Sequence, residues 1–160
     1  MVEHFQLLRR DLTGPLPAPQ WPAGISLDHY RETRAAAIHA VLCMAQEQGG
    51  GRVGSLQQWR QQFLSDAEFD PKLCLIASNA HGILGVAQCW TSAFIKSLAI
   101  HPTAQGQGLG RALLLHSFLV FQQRGEAFVD LKVRESNTRA RQLYESAGMV
   151  FVLRDRLTKD

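Results

Sequence analysis

Residues 73–95 contain no Asp, Glu, Lys or Arg, a run long enough to cross a bilayer as a helix. Any fold must bury it. The run is broken early by Ser78-Asn79-Ala80-His81-Gly82 and later carries Gln88, Thr91 and Ser92. Such turn chemistry is out of place in a membrane helix and in place between two buried strands. Strands are therefore expected at 73–77 and 83–90 around a turn at 79–82, with a third at 94–100 that His101-Pro102 stops. The spacing then predicts a helix over 108–123, apolar nearly all round and ended by Gly125, and a strand over 127–133. A helix capped by Ser136 or Asn137 and ending at Gly148 follows, then a last strand at 149–153.

Upstream the pattern is sparser. A short strand is expected at 5–8, followed by an extended segment spaced by Pro15, Pro17, Pro19 and Pro22, and a second short strand at 24–27. Apolar residues at helical spacing (Ala35, Ile38, Val41, Leu42, Ala45) predict a helix over 31–46, which Gly49-Gly50-Gly51 ends in a loop. Ser55 caps another helix through Leu64, with Leu56, Trp59 and Phe63 on one face. Strands and helices interleave around one mixed sheet.

Composition narrows the classes. A length of 160 residues suits one domain with a sizeable core, and 46% apolar against 19% charged residues argues against disorder. Lys plus Arg number 17 against 14 Asp plus Glu, a net +3 too mild to imply nucleic acid, although 13 of the 17 cations are Arg, the better phosphate ligand. The N-terminus shows no apolar run behind a basic stretch, so neither a signal peptide nor a membrane partner is expected. Cys43, Cys74 and Cys89 are odd in number and lack metal-ligand spacing, and the six His residues show no HxH or HExxH pattern. No disulfide and no metal are expected, and a reducing, cytoplasmic compartment fits best.

Gln105-Gly106-Gln107-Gly108-Leu109-Gly110-Arg111 lies between a strand end and the long apolar helix. Alternate glycines let backbone N–H groups converge, and the helix N-terminus adds unpaired donors and partial positive charge. Arg111 stands at the helix end less favoured for a cation, which a bound pyrophosphate would compensate. A turn needed only for chain reversal is the alternative. No Lys follows Gly110, which disfavours a P-loop, and the third position of a GxGxxG fingerprint is Arg111, which disfavours a dinucleotide fold even though Asp130 stands where a ribose-binding acid would.

Gln105-x-x-Gly108-x-Gly110 resembles the (Gln/Arg)-x-x-Gly-x-(Gly/Ala) signature of the GNAT superfamily of N-acetyltransferases, and residues 137–149 resemble that family's second signature. The resemblance implies a mixed α/β (α+β) architecture, the acyl-CoA N-acyltransferase (GNAT) fold, with a splayed mixed central sheet flanked by helices. It further implies a single domain over 1–160, with 1–24 an extended N-terminal arm and 72–153 the acetyl-CoA-binding half. Acetyl-CoA is the implied co-substrate. The backbone of Gln105, Gly106, Gln107, Gly108, Leu109, Gly110 and Arg111 would hold its pyrophosphate, and the strand Leu98, Ala99, Ile100 would pair with the pantetheine and offer an N–H to the thioester oxygen.

Asn137 and Tyr144 are seven residues apart, two helical turns, with Arg141 between them on the same face. By the resemblance Asn137 would bond the pantetheine, Tyr144 would donate a proton to the departing sulfur, and Arg111 and Arg141 would face the phosphates, with Arg139 near them. The residues alone also fit a plain N-cap at Asn137 and a core phenol at Tyr144. No general base stands out among Asp28, Glu32, Asp66, Glu68 and Asp70. Trp59, Phe63, Trp90 and Phe94 fit core packing better than an acceptor pocket, the cysteines fit inert packing, and Arg9-Arg10 reads as a solvated edge charge. The expected activity is acetyl transfer from acetyl-CoA to a small-molecule or peptide amine by direct attack in a ternary complex, and the alternative is an acyl-CoA-binding regulatory domain. Only 12 residues follow Gly148, too few for the family's usual final strand pair, so residues 5–8 or a second subunit of a homodimer would fill the missing sheet position.

Overall fold

A computed structural model describes residues 2–47 and 52–156; the glycine loop expected at 49–51 lies outside the described residues. Seven strands form one sheet in the order β2-β3-β4-β5-β6-β1-β7. They are β1 (His4–Asp11), β2 (Ser26–His29), β3 (Cys74–Asn79), β4 (Gly82–Trp90), β5 (Phe94–Ile100), β6 (Phe128–Arg134) and β7 (Val150–Arg156). Helices α1 (Ala35–Glu47), α2 (Leu56–Ser65), α3 (Leu109–Gln123) and α4 (Thr138–Ser146) complete the domain. The uncharged run becomes β3, β4 and the start of β5; every residue of 73–78 is buried. Among the described residues no helix is long and apolar enough to cross a membrane.

Helices cover both faces of the sheet. On one, Leu113, Leu114, Phe118 and Phe121 of α3 pack against Leu8, Val129 and Leu131, with Leu143 and Tyr144 of α4 at the margin. On the other, Ile38, Val41 and Leu42 of α1 and Trp59 and Phe63 of α2 pack on Ile76, Val86 and Ala99. Ser55 caps α2 with a reciprocal capping box, its side chain accepting from the Gln58 N–H while the Gln58 side chain accepts from the Ser55 N–H.

Two features of the sheet position the site. All neighbouring strands pair antiparallel except β5 and β6, which run parallel and pair only at Phe94↔Asp130 and Ile95↔Leu131 before diverging. The second feature is β1. The strand expected at 5–8 extends over His4–Asp11 and lies between β6 and β7, bonded to both, so the sheet position beside β7 is held by β1. Arg9-Arg10 is therefore not a solvated edge pair. Arg9 forms two hydrogen bonds to the Asp130 carboxylate, at 2.7 and 2.9 Å, and Arg10 donates to the Ala147 carbonyl beside Gly148. Gly148 has φ of +92°, the region that favours glycine, and a Cβ there would stand 2.8 Å from Arg10 Nε, so another residue would also displace the Arg10 side chain.

Candidate acetyl-CoA and acceptor cleft

Where β5 parts from β6 a cleft of about 1220 Å³ opens. Its floor is β5 itself. Register shifts there: Gln88 of β4 faces Ser97 while Cys89 faces Ile95, so Lys96 is the extra residue of a β-bulge. A bulge bends the strand and re-aims its side chains and main-chain groups. Beyond it, residues 97–100 pair with β4 on one edge, while on the other the last pairing to β6 is at Ile95. Ser97, Leu98, Ala99 and Ile100 all line the cleft, so this unpaired edge faces open space rather than a neighbouring strand.

At one end of the cleft the glycine loop meets α3. Gly106 and Gly108 have φ of +76° and +83°, the left-handed region that favours glycine, and a Cβ on either would meet nothing within 4 Å. Space above both is open. Gly108 is the N-cap residue of α3 and supplies no side-chain cap, so the first N–H groups of the helix are left for another acceptor. Gln105, Gly106, Gly108, Leu109, Gly110 and Arg111 line the cleft. Gln107 does not: its side chain turns to the Thr103 carbonyl, 3.4 Å away. Arg111 reaches across to Ser146 at 3.1 Å, joining the start of α3 to the end of α4.

Helix α4 forms the adjoining wall. Asn137 lines the cleft and also caps the helix, its Oδ1 accepting from the Ala140 N–H at 3.2 Å. Tyr144 lines it two turns on, and burial pushes its phenol up to about 12. Arg141 is placed differently from the sequence expectation. Its guanidinium donates back to the Glu135 carbonyl at 3.1 Å and stands 3.9 Å from Glu145, so it is not among the lining residues. Arg139 is the α4 cation that lines the cleft, joined by Lys132 and Arg134 from β6.

The far end lies under α1 and α2. Trp59 and Phe63 stack with centroids 5.4 Å apart and Phe63 lies 5.5 Å from Trp90; all three line the cleft, whereas Phe94 does not. They are core and wall at once. Gln88, 2% exposed, accepts a 3.4 Å hydrogen bond from Trp59 Nε1. Lys96 folds over Trp90, its Nζ 5.5 Å from the ring centroid; desolvation lowers its pKa, with Asp66 acting in the opposite sense. Of the five acids weighed from sequence, only Asp66 lines the cleft. Asp28 is engaged by Arg31 and Arg34, Glu32 by Arg60 and Tyr30, Glu68 by the Ser92 N–H and Asp70 by Arg124. Among the described lining residues six are cations (Arg52, Lys96, Arg111, Lys132, Arg134, Arg139) and one is a carboxylate.

Nucleophile and metal chemistry find little support elsewhere. Burial raises the Cys74 thiol to about 12 and Cys89 higher still, which leaves both inert. Cys43 Sγ lies 3.5 Å from His39 Nε2, which donates to the Gly54 carbonyl at 3.0 Å, so only the more distant Nδ1, 3.8 Å away, is left to accept from the thiol. Among the described residues no group of three or more His, Cys, Asp or Glu could hold a metal.

A cleft with an open strand edge, a glycine-capped helix start and a cationic rim suits an elongated anion. The model of the Acetyltransferase (GNAT) family matches residues 39–149. The chain belongs to that family. It is 34% identical over 164 residues to a mycothiol acetyltransferase of Thermobispora bispora, an alignment covering 88% of this chain and 52% of that protein. A shorter segment of 56 residues is 48% identical to the [ribosomal protein bS18]-alanine N-acetyltransferase of Escherichia coli K12, covering 35% of this chain and 38% of that protein. Among solved structures, a GCN5-related N-acetyltransferase from Sphaerobacter thermophilus superposes with a TM-score of 0.81 at 30% identity, over 97% of this chain and 50% of its own. The chain spans about half the length of the mycothiol acetyltransferases it matches. The GNAT fold, a mixed sheet splayed at its centre and flanked by helices, is as the sequence led one to expect.

The residues that sequence reasoning passed over are Gln88, Lys96 and Asp66 as cleft-facing groups. No periodicity marks them. The bulge that turns Lys96 is set by pairing with β4, and Asp66, whose Oδ1 accepts from the Glu68 N–H at 2.8 Å, stands apart from the other four acids only by its place in the cleft.

Proposed function

We propose that the protein transfers the acetyl group of acetyl-CoA to an amine by direct attack in a ternary complex. The observation that carries this reading is the open edge of β5, which shares one cleft with the glycine loop and the Tyr144 phenol. Backbone N–H groups of the loop and of the first turn of α3 would hold the pyrophosphate, with Arg111 and Arg139 beside it. Leu98, Ala99 and Ile100 would pair with the amides of the pantetheine as an added strand does. Main-chain N–H groups beyond the Lys96 bulge would serve as donors to the thioester oxygen.

In the reaction the amine nitrogen forms a bond to the acetyl carbon and the carbon–sulfur bond breaks, the sulfur leaving with the electron pair. Asp66, the one carboxylate among the described lining residues, is the group the cleft offers to take the nitrogen's proton, directly or through water. Tyr144 faces the sulfur's departure with a proton that it holds tightly. With the phenol at about 12 against about 8.5 for a thiol, complete transfer is uphill by about 5 kcal/mol. Its role is a hydrogen bond to the departing thiolate rather than full protonation.

The relatives' names, mycothiol acetyltransferase and alanine N-acetyltransferase, support acetyl transfer as the chemistry. The test is release of free CoA from acetyl-CoA with a panel of amines, above the hydrolysis blank. Tight acetyl-CoA binding with no release across a broad panel supports instead an acyl-CoA-binding module, a reading that a single carboxylate among the described lining residues favours.

A further inference from the structure

Gln88 holds a donor that the protein leaves unused. The residue is 2% exposed, its Oε1 accepts from Trp59 Nε1, and its Nε2 has no hydrogen-bond partner. Trp59 fixes the orientation, because a flipped amide would set two donors against each other. Gln88 lines the cleft, and Trp90, two residues on along β4, shares its face. Lys96 lies over that same Trp90 ring, and among the described residues no carboxylate stands within ion-pair distance of its ammonium. One buried, unpartnered N–H donor and one ammonium without an ion pair therefore lie along a single aromatic-walled pocket.

We infer that the acceptor is an amine that also carries a carboxylate, which Lys96 and the Gln88 Nε2–H hold while Trp59, Phe63 and Trp90 take its apolar body. This rests on the acetyl-transfer reading. A lone donor would accept any oxygen; a donor beside a cation selects an anionic one. One ammonium and one N–H match a monoanion better than a phosphate dianion. Polycationic amines are disfavoured, since the cleft already carries six cations against one carboxylate among its described lining residues.

The experiment uses the full chain and reads binding apart from turnover. Quenching of tryptophan fluorescence is titrated with leucine, phenylalanine and β-alanine, each against its own amide, and with putrescine and O-phosphoethanolamine. The expected result is a preference of roughly tenfold or more for the carboxylate in at least one pair, the scale of one charge-assisted contact. Lys96→Met should abolish that preference and Gln88→Leu should reduce it, both with acetyl-CoA affinity retained, which shows that the variants fold. Equal binding of every pair, retention of the preference in Lys96→Met, or tighter binding of putrescine or O-phosphoethanolamine overturns the inference. A carboxylate preference without CoA release from acetyl-CoA refutes acetyl transfer and leaves the pocket standing. CoA release without the preference does the reverse.

Discussion

The two ends of the cleft are built on different principles. The glycine-loop end is made mainly of main chain: consecutive residues from 105 to 111, two of them in left-handed conformation, present a helix start. The opposite end is made of side chains from separate elements, with Trp59 and Asp66 from α2 and its end, Gln88 and Trp90 from β4 and Lys96 from β5. A site made by the backbone leaves a compact trace in the sequence, because the residue types that permit it must be adjacent. A site made by side chains leaves none, because its members meet only through the sheet register and a bulge.

Breaking the backbone-built end should have the largest effect. Gly108→Val forces a β-branched residue into φ of +83°, at a cost of about 1–2 kcal/mol that the loop relieves by moving its N–H groups. Acetyl-CoA affinity by calorimetry should fall roughly 100-fold, counting the displaced donors and the side chain in the anion's place. A comparable loss of acceptor binding would erase the distinction between the two ends. Next comes Tyr144→Phe, expected to lower kcat by about 10²-fold with acetyl-CoA affinity nearly intact. Unchanged turnover, with chemistry rate-limiting, removes Tyr144 from the catalytic group.

The same phenol has a signature in stability. It is raised by burial to about 12, so between about pH 10 and 12 the unfolded chain loses this proton while the folded chain keeps it. Folding stability from this group is complete below pH 10 and falls as pH rises through that window. Thermal melts at pH 9 and 11 should show a steeper alkaline loss for the parent than for Tyr144→Phe. Arg111→Glu should weaken acetyl-CoA by about tenfold, and more at low salt, because the contact lies at an exposed rim. The smallest effect distinguishes the two roles of Asn137. Asn137→Ala removes a cap worth about 1 kcal/mol of stability, and a Tm drop without loss of acetyl-CoA affinity would leave it a cap alone.

These contrasts explain what could be read from the residues. The strand pair within 73–95, the loop at 105–111 and the cap at Asn137 are local statements, and each rests on neighbours in sequence. The place of β1 is not local: its partners are residues 128–134 and 150–156, and only pairing in space puts an Arg9 beside an Asp130. Arg141 shows the limit of helical phase. Spacing sets it between Asn137 and Tyr144, but the Glu135 carbonyl draws its guanidinium back toward the strand end. Lys96 has no signal of its own in the sequence, because the bulge that gives it a direction is a property of two strands together.

The insertion of β1 also sets an order of assembly. Phe5 pairs with Arg134 and His4 with Arg156, so β1 has no sheet partner until β6 and β7, more than a hundred residues later, are synthesised. Closing so long a loop is slow rather than costly, about 4 kcal/mol of chain entropy, because that cost grows only with the logarithm of length. Until it closes, β6 lacks the neighbour that backs it. The nascent protein carries its glycine loop and its aromatic pocket before β6 has the strand that backs it, although that strand was made before either.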